Sequence, residues 1–293
     1  MPEVPFPRTL MEMSGAALAF HLFLLCALQL PGSGVAVEPF EAPPDVDELM
    51  REVQRVHFVD IAAWSRFRFQ RQVHKERLDD DGQPVSYETY EFQVTPANGS
   101  FEERLTSRDG RPPSSRQLRH HRKEASFTRH YNALRSGQED SQDDEANPLA
   151  HLLYMPSYTY AGREQVEGVD CYRLDFEPQE RNKDGGLQAR IARAMGGSLW
   201  IGVEDHHLVR ARARTSRPVS VALSLAKVSN VQIDLLNKPV APGVWLPHRL
   251  EVVTEGRVSW WPIRRRSIFQ YSDFKPVHDG TMGMAIGDVA ASP

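Results

Sequence analysis

Hydrophobic and polar positions alternate with a period of two along most of this chain, and only a few stretches switch to the wider spacing of a helix. The first such stretch follows Pro43 and Pro44. Asp45 and Glu48 form a capping-box pair, and Val46, Leu49, Met50, Val53, Val56 and Ile61 fall near one helical face. Alternation begins at Phe67 and Phe69, turns at Asp81-Gly82 and returns through Tyr90, Phe92 and Val94. It turns again at Asn98-Gly99 and runs from Phe101 to Leu105 before Asp109-Gly110. Three strands joined by tight turns predict an antiparallel meander. From Ser115 to about Arg135 the pattern predicts a basic helix with Phe127, Tyr131 and Leu134 on one face.

Strands then dominate. Tyr158 and Tyr160 open one, Gly168 turns it, and Tyr172, Leu174 and Phe176 alternate with Arg173 and Asp175 on the next. A short helix carrying Leu187, Ile191 and Met195 is predicted to close at Gly196-Gly197. Leu199, Ile201 and Val203 lead through residues 204–207 into a return strand, where Val209, Ala211 and Ala213 alternate with Arg210, Arg212 and Arg214. Further alternation marks 219–225, 231–235, 249–254 and 267–274. About ten strands and two or three helices, with no linker-like composition between them, predict one mainly β (α+β) domain: a strongly curved antiparallel sheet with helices on one face.

Composition sharpens the compartment. From Ala16 to Leu30 the chain is almost unbrokenly apolar, with Arg8 ahead of it and Gly32, Ser33, Gly34 and Ala36 behind. The run is short of the roughly 20 residues a membrane span needs, so a secretory signal peptide over 1–36 is expected, followed by a Pro-rich tether over 37–44. Export follows. The two cysteines are Cys26, inside this leader, and Cys171, so the mature chain has no disulfide partner for Cys171. Leu25 is not the small residue that a bacterial lipidation site places before its cysteine. The net charge of −4 argues against nucleic-acid binding. It conceals a local imbalance, because residues 104–135 hold nine Lys/Arg against two Asp/Glu, with an acidic run of Glu139, Asp140, Asp143, Asp144 and Glu145 behind them.

Catalytic signatures are missing from this pattern. The HExxH, GxSxG, GxxxxGK[ST] and GxGxxG motifs do not occur, and Ser224-Leu225-Ala226-Lys227 matches SxxK only in a strand-like run without a Lys-Thr-Gly partner. His120-His121 and His206-His207 are adjacent pairs that do not converge as metal ligands do, and surface positions are expected for them. No catalytic residue, metal or cofactor is therefore expected. Arg210, Arg212 and Arg214 share a strand face, either pairing with acidic neighbours or holding an anion. Trp260 and Trp261 followed by Arg264, Arg265 and Arg266 combine indoles with guanidiniums, as a peripheral membrane or partner contact would. The aromatic residues of the alternating strands, Phe67, Phe69, Tyr90, Phe92, Tyr172, Phe176, Trp200 and Trp245, are the expected lining of an apolar ligand site.

Several short segments carry a resemblance. Tyr160-Ala161-Gly162-Arg163-Glu164, the run from Val169 to Pro178, Gly197-Ser198-Leu199-Trp200-Ile201, Glu204-Asp205 and Leu208-Val209-Arg210 are joined by Gly243-Val244-Trp245-Leu246-Pro247 and Tyr271-Ser272-Asp273-Phe274. In this order they resemble bacterial envelope proteins related to the outer-membrane lipoprotein-sorting family, over roughly Asp45 to Phe274. The resemblance implies a half-barrel over 45–278, with a flexible tail over 279–293, whose concave apolar face is covered by helices. It also implies a non-enzymatic binding protein that takes a lipid or a lipidated protein, or, using the same fold, an envelope sensor that binds a protein partner. The basic helix and acidic run have no counterpart in that pattern.

Overall fold

A computed structural model describes residues 43–97, 100–123, 153, 157–179, 187–221, 226–258 and 260–277. The expected leader, the acidic run, the far half of the basic helix, the Asn98-Gly99 turn and the tail lie outside the described residues. Helix α1 spans Val46–Ala63, and its first turn is capped as expected, the Glu48 amide donating to Asp45 Oδ1 at 3.0 Å. A single 3₁₀ turn, Trp64–Arg66, bends the chain into β1, Phe67–Leu78. The meander continues as β2, Pro84–Ala97, and β3, Ser100–Arg108, before helix α2, Ser115–Lys123.

The second strand group contains β4, Tyr158–Val166, and β5, Val169–Phe176, joined by a two-residue turn. Both turn residues have positive φ, Glu167 at 53° and Gly168 at 84°, the handedness that matches the twist of the strands it joins. After helix α3, Leu187–Arg193, come β6, Met195–Gly202, β7, Leu208–Thr215, and the short β8, Val219–Val221. Three long strands finish the chain: β9, Ala226–Ala241, β10, Val244–Val258, and β11, Trp261–Pro276.

All eleven strands belong to one antiparallel sheet in the order β3-β2-β1-β11-β10-β9-β7-β6-β5-β4, with β8 also on β9. The sheet does not close: β3 and β4 are its two edges, as an open half-barrel requires. Its one long-range seam joins β1 to β11, from Phe67 opposite Pro276 to Arg77 opposite Arg265. Alternation along every strand gives the sheet two unlike faces. The inner face carries Leu174, Leu199, Ile201, Ala211, Ile233 and Leu235, which pack with Leu49, Met50 and Val53 of α1 in one buried cluster. A second cluster gathers Trp64, Phe69, Phe92, Val94, Phe101 and Tyr271 around the meander and seam.

The outer face is a ladder of charges. Asp175, Ser198, Arg212, Asp234 and Glu251 stand in one row across five strands. Arg210 Nη2 reaches Asp234 at 2.6 Å and Arg212 Nε reaches it at 3.0 Å, so two of the three arginines have the expected acidic pairing.

One expectation is corrected. Met195, Gly196 and Gly197 do not close helix α3 but begin β6. Close approach explains the glycines: a Cβ on Gly197 would lie 2.0 Å from the Arg212 carbonyl oxygen, and one on Gly196 would lie 3.0 Å from Pro178 Cδ. The β6–β7 contact thus requires a bare backbone at Gly197. Gly197→Ala should cost about 1–3 kcal/mol of stability, as overpacking does, read as a lowered urea midpoint; an unchanged midpoint would refute the steric account.

Candidate functional site

The expected aromatic residues fall into three groups. Phe67, Phe69, Tyr90 and Phe92 are core residues of the meander; Phe69 is fully buried, stacks on Phe274 at 5.3 Å and meets Trp64 edge-on at 5.2 Å. Phe176 is buried and Tyr172 half-buried in the α1-covered cluster. Trp200 is paired across the strands with Arg173, whereas Tyr172 is paired with Ile201, so Trp200 points to the outer face. It joins Trp245, Cys171 and Val209 in a third cluster.

What the inner face leaves uncovered is a fringe. Tyr158, Tyr160 and Tyr172 on β4 and β5, and Val228, Val252 and Phe269 on β9, β10 and β11, are only partly buried where they pack against the main cluster. Tyr160 and Tyr172 meet edge-on at 6.1 Å, and Tyr158 meets Phe176 at 5.8 Å. These side chains extend the apolar floor beside the fully buried cluster.

Two open clefts lined by described residues lie on the outer, polar face. The larger, about 940 Å³, runs over Arg173, Asp175, Trp200, Arg212 and Asp234. Trp200 donates from its indole to Glu164 at 2.7 Å, and the guanidiniums of Arg173 and Arg212 each lie 5.8 Å from its ring. The smaller, about 470 Å³, is lined by Gln70, Gln72, Gln93, His248 and Gln270 among others. Among the described residues, no group of three or more His, Cys, Asp or Glu gathers as a metal site would.

Buried charges are the feature that sequence reading missed. Asp60, near the end of α1, lies 2.7 Å from His207 Nδ1 through one carboxylate oxygen and accepts the Trp245 amide at 2.9 Å through the other. The Trp245 ring stacks on His207 at 5.6 Å. His207 is buried, which corrects the surface position expected for it; its partner His206 is half-buried, and the side chains of His120 and His121 lie outside those described. In the meander, Arg71 and Glu103 pair at 2.5 Å with both side chains 4% exposed, and Arg71 lies 4.7 Å over the Phe92 ring. A signal did exist: Asp60 stands on the apolar stripe of its helix, and Arg71 and Glu103 occupy inward positions between Phe69 and Val73 and between Phe101 and Leu105.

Cys171 is buried, and its thiol donates to the Val169 carbonyl at 3.4 Å. Burial first, and then the negative charge of Asp170, push the thiol up to about 11, which leaves almost no thiolate near neutrality. Of the tryptophan–arginine segment, Trp260 and Trp261 are exposed, while Arg264 and Arg266 turn to the outer face. There Arg264 pairs with Asp80, and Arg266 reaches Glu76 at 3.0 Å and Glu251 at 3.3 Å. Arg265 alone of the three lies on the inner face, opposite Arg77.

Neither a family model nor a curated protein matches this chain. Solved structures similar to it include a LolA superfamily protein from Nitrosomonas europaea, at 12% identity and a TM-score of 0.31, covering 79% of this chain and 93% of that one. Another is a putative outer membrane lipoprotein-sorting protein domain from Vibrio parahaemolyticus, at 9% identity and a TM-score of 0.38, covering 82% and 95%. A third is the MucA/MucB complex of Pseudomonas aeruginosa, at 11% identity and a TM-score of 0.26, covering 78% and 99%.

Asp60→Ala strips two buried donors of their acceptor. It should lower stability by about 3 kcal/mol, measured by urea unfolding, and a loss below about 1 kcal/mol would show that the carboxylate is dispensable. The Nε2 of His57 is buried with no hydrogen-bond partner among the described residues, and burial lowers its pKa to about 4. The unfolded chain therefore binds the extra proton between about pH 6.5 and 4, and stability should fall as pH drops through that window. His57→Phe should flatten that part of the profile. Native Cys171 should resist a disulfide reagent at pH 8 and react stoichiometrically in 6 M guanidinium, at about that concentration or above the unfolding midpoint; rapid native reaction would contradict its burial.

Proposed function

We propose that this protein is a non-enzymatic binding module of the cell envelope that holds a lipid or the acyl chain of a lipidated protein against the helix-covered face of its sheet. The observation that carries the reading is the apolar fringe: Tyr158, Tyr160, Tyr172, Val228, Val252 and Phe269 continue the core floor but are not fully buried by described residues. Burial of an alkyl chain there is favourable by about 0.8 kcal/mol per CH₂. The sequence resemblance to lipoprotein-sorting proteins and the signal-peptide pattern support the same reading and an exported location. The aromatic residues proposed as lining narrow accordingly, with Tyr172 and Phe176 on the floor and Phe67, Phe69, Tyr90 and Phe92 supporting it from the neighbouring core.

A protein partner is the second reading. The open outer cleft favours it, because Trp200 between two arginines offers a flat aromatic and charged surface of the sort peptides dock on.

Native mass spectrometry with lipid extraction, and titration with a fluorescent fatty acid, test the first reading. Bound lipid and saturable probe binding are expected, with Val252→Asp weakening the probe at least about tenfold by placing a charge on the floor. Absence of both lipid and probe binding would overturn it and leave the second reading.

A further inference from the structure

Two hairpin tips that are far apart in sequence meet at one end of the sheet. The β1–β2 hairpin brings Val85, 51% exposed, and Tyr87, 68% exposed; the β10–β11 hairpin brings Trp260 and Trp261, 79% and 68% exposed. The seam register brings the two tips to the same end of the sheet, since Arg77 is opposite both Ser86 on β2 and Arg265 on β11; Tyr87, in register with Glu76 and Arg266, faces outward, whereas Trp261 faces inward. Four large apolar side chains exposed on adjoining tips are more than the scattered single exposures of an ordinary surface.

The charges at this end are sorted by face. On the outer face the arginines are neutralised, Arg264 by Asp80 and Arg266 by Glu76 and Glu251. On the inner face Arg77 and Arg265 are directly opposed across the β1–β11 seam. Both are exposed, and neither has a carboxylate partner among the described residues. Like charges directly opposite destabilise a sheet, so the pair is a cost unless an anion lies between or over the two guanidiniums. Glu88, which faces Lys75 one register step away, is already taken by Arg108 at 2.8 Å and by the Tyr90 hydroxyl at 2.7 Å. Trp261 lies on the same inner face as Arg265, four residues along β11.

Indoles beside unneutralised guanidiniums match the headgroup layer of a phospholipid bilayer, where tryptophan sits at the interface and arginine meets phosphate. We infer that the two hairpin tips form a membrane-docking rim, with Trp260 and Trp261 entering the headgroup layer and Arg77 and Arg265 together taking a lipid phosphate. The rim lies at the end of the face proposed to hold the acyl chain, but it does not depend on that site being occupied.

Vesicle co-sedimentation and tryptophan emission test this with the purified protein. Vesicles of phosphatidylcholine with 30% phosphatidylglycerol, a content of about that size being enough for a strongly anionic surface, should bind the protein and shift its emission to the blue. Pure phosphatidylcholine should bind it several-fold more weakly. Trp260→Ser/Trp261→Ser should abolish the shift. Arg77→Gln/Arg265→Gln should weaken anionic-vesicle binding about 25-fold, at roughly fivefold per lost base, while a circular-dichroism spectrum and urea midpoint like the parent's exclude misfolding. Protein stripped of bound lipid should bind the vesicles as unstripped protein does, which separates this rim from the acyl site. Equal binding to both vesicles, or an arginine double variant that binds as the parent does, would overturn the inference. So would displacement by millimolar inorganic phosphate, which would make the pair a site for the free ion.

Discussion

Helix α1 is held over the sheet by a carboxylate. The two oxygens of Asp60 engage His207 and the amide of Trp245, 147 and 185 residues away, so the helix end, the turn before β7 and the start of β10 meet at one buried point. The apolar stripe of Leu49, Met50 and Val53 supplies area but little positional information, because an oily helix can slide or rotate over an oily sheet at small cost. A buried charge with two fixed donors removes that freedom, since displacement leaves it unpaired. The place where α1 stops decides which apolar side chains become core and which remain as the fringe around Tyr172 and Val252.

The same alternation that builds the core also sets many outer-face charges in opposite-sign pairs. Asp234 answers both Arg210 and Arg212, and Glu251 lies near Arg266 and Arg249. Exposed pairs of this kind contribute little stability individually. At the hairpin-tip end, Arg77 and Arg265 face each other where the carboxylates Asp80, Glu76 and Glu251 that pair with neighbouring arginines lie on the other face.

Much of the fold was legible because period-two alternation is a local signal. Asp45 and Glu48 announced the start of α1, and the Tyr172-Leu174-Phe176 series announced which side of β5 is buried. Gly196 and Gly197 were misread because a glycine pair that ends a helix and one that admits a neighbouring strand look alike until the neighbour, here the Arg212 backbone, is known. The candidate site was less legible. Trp200 and Trp245 have the composition of ligand-lining residues, yet face and register put Trp200 on the far side of the sheet. The buried partners Asp60–His207 and Arg71–Glu103 join residues that only the tertiary fold brings together, although each charge at an inward position signalled that a partner must exist.

The β1–β11 seam sets the order in which this molecule can be completed. Residue 67 lies beside residue 276, and the cluster around Trp64 needs Phe269, Tyr271 and Phe274 from the far end of the chain. An emerging polypeptide can form the β1–β3 meander early, but one flank of β1 stays unpaired until almost everything else has been made. Such a topology folds late and slowly. Until then the exposed flank of β1 is the segment that a chaperone would most need to guard.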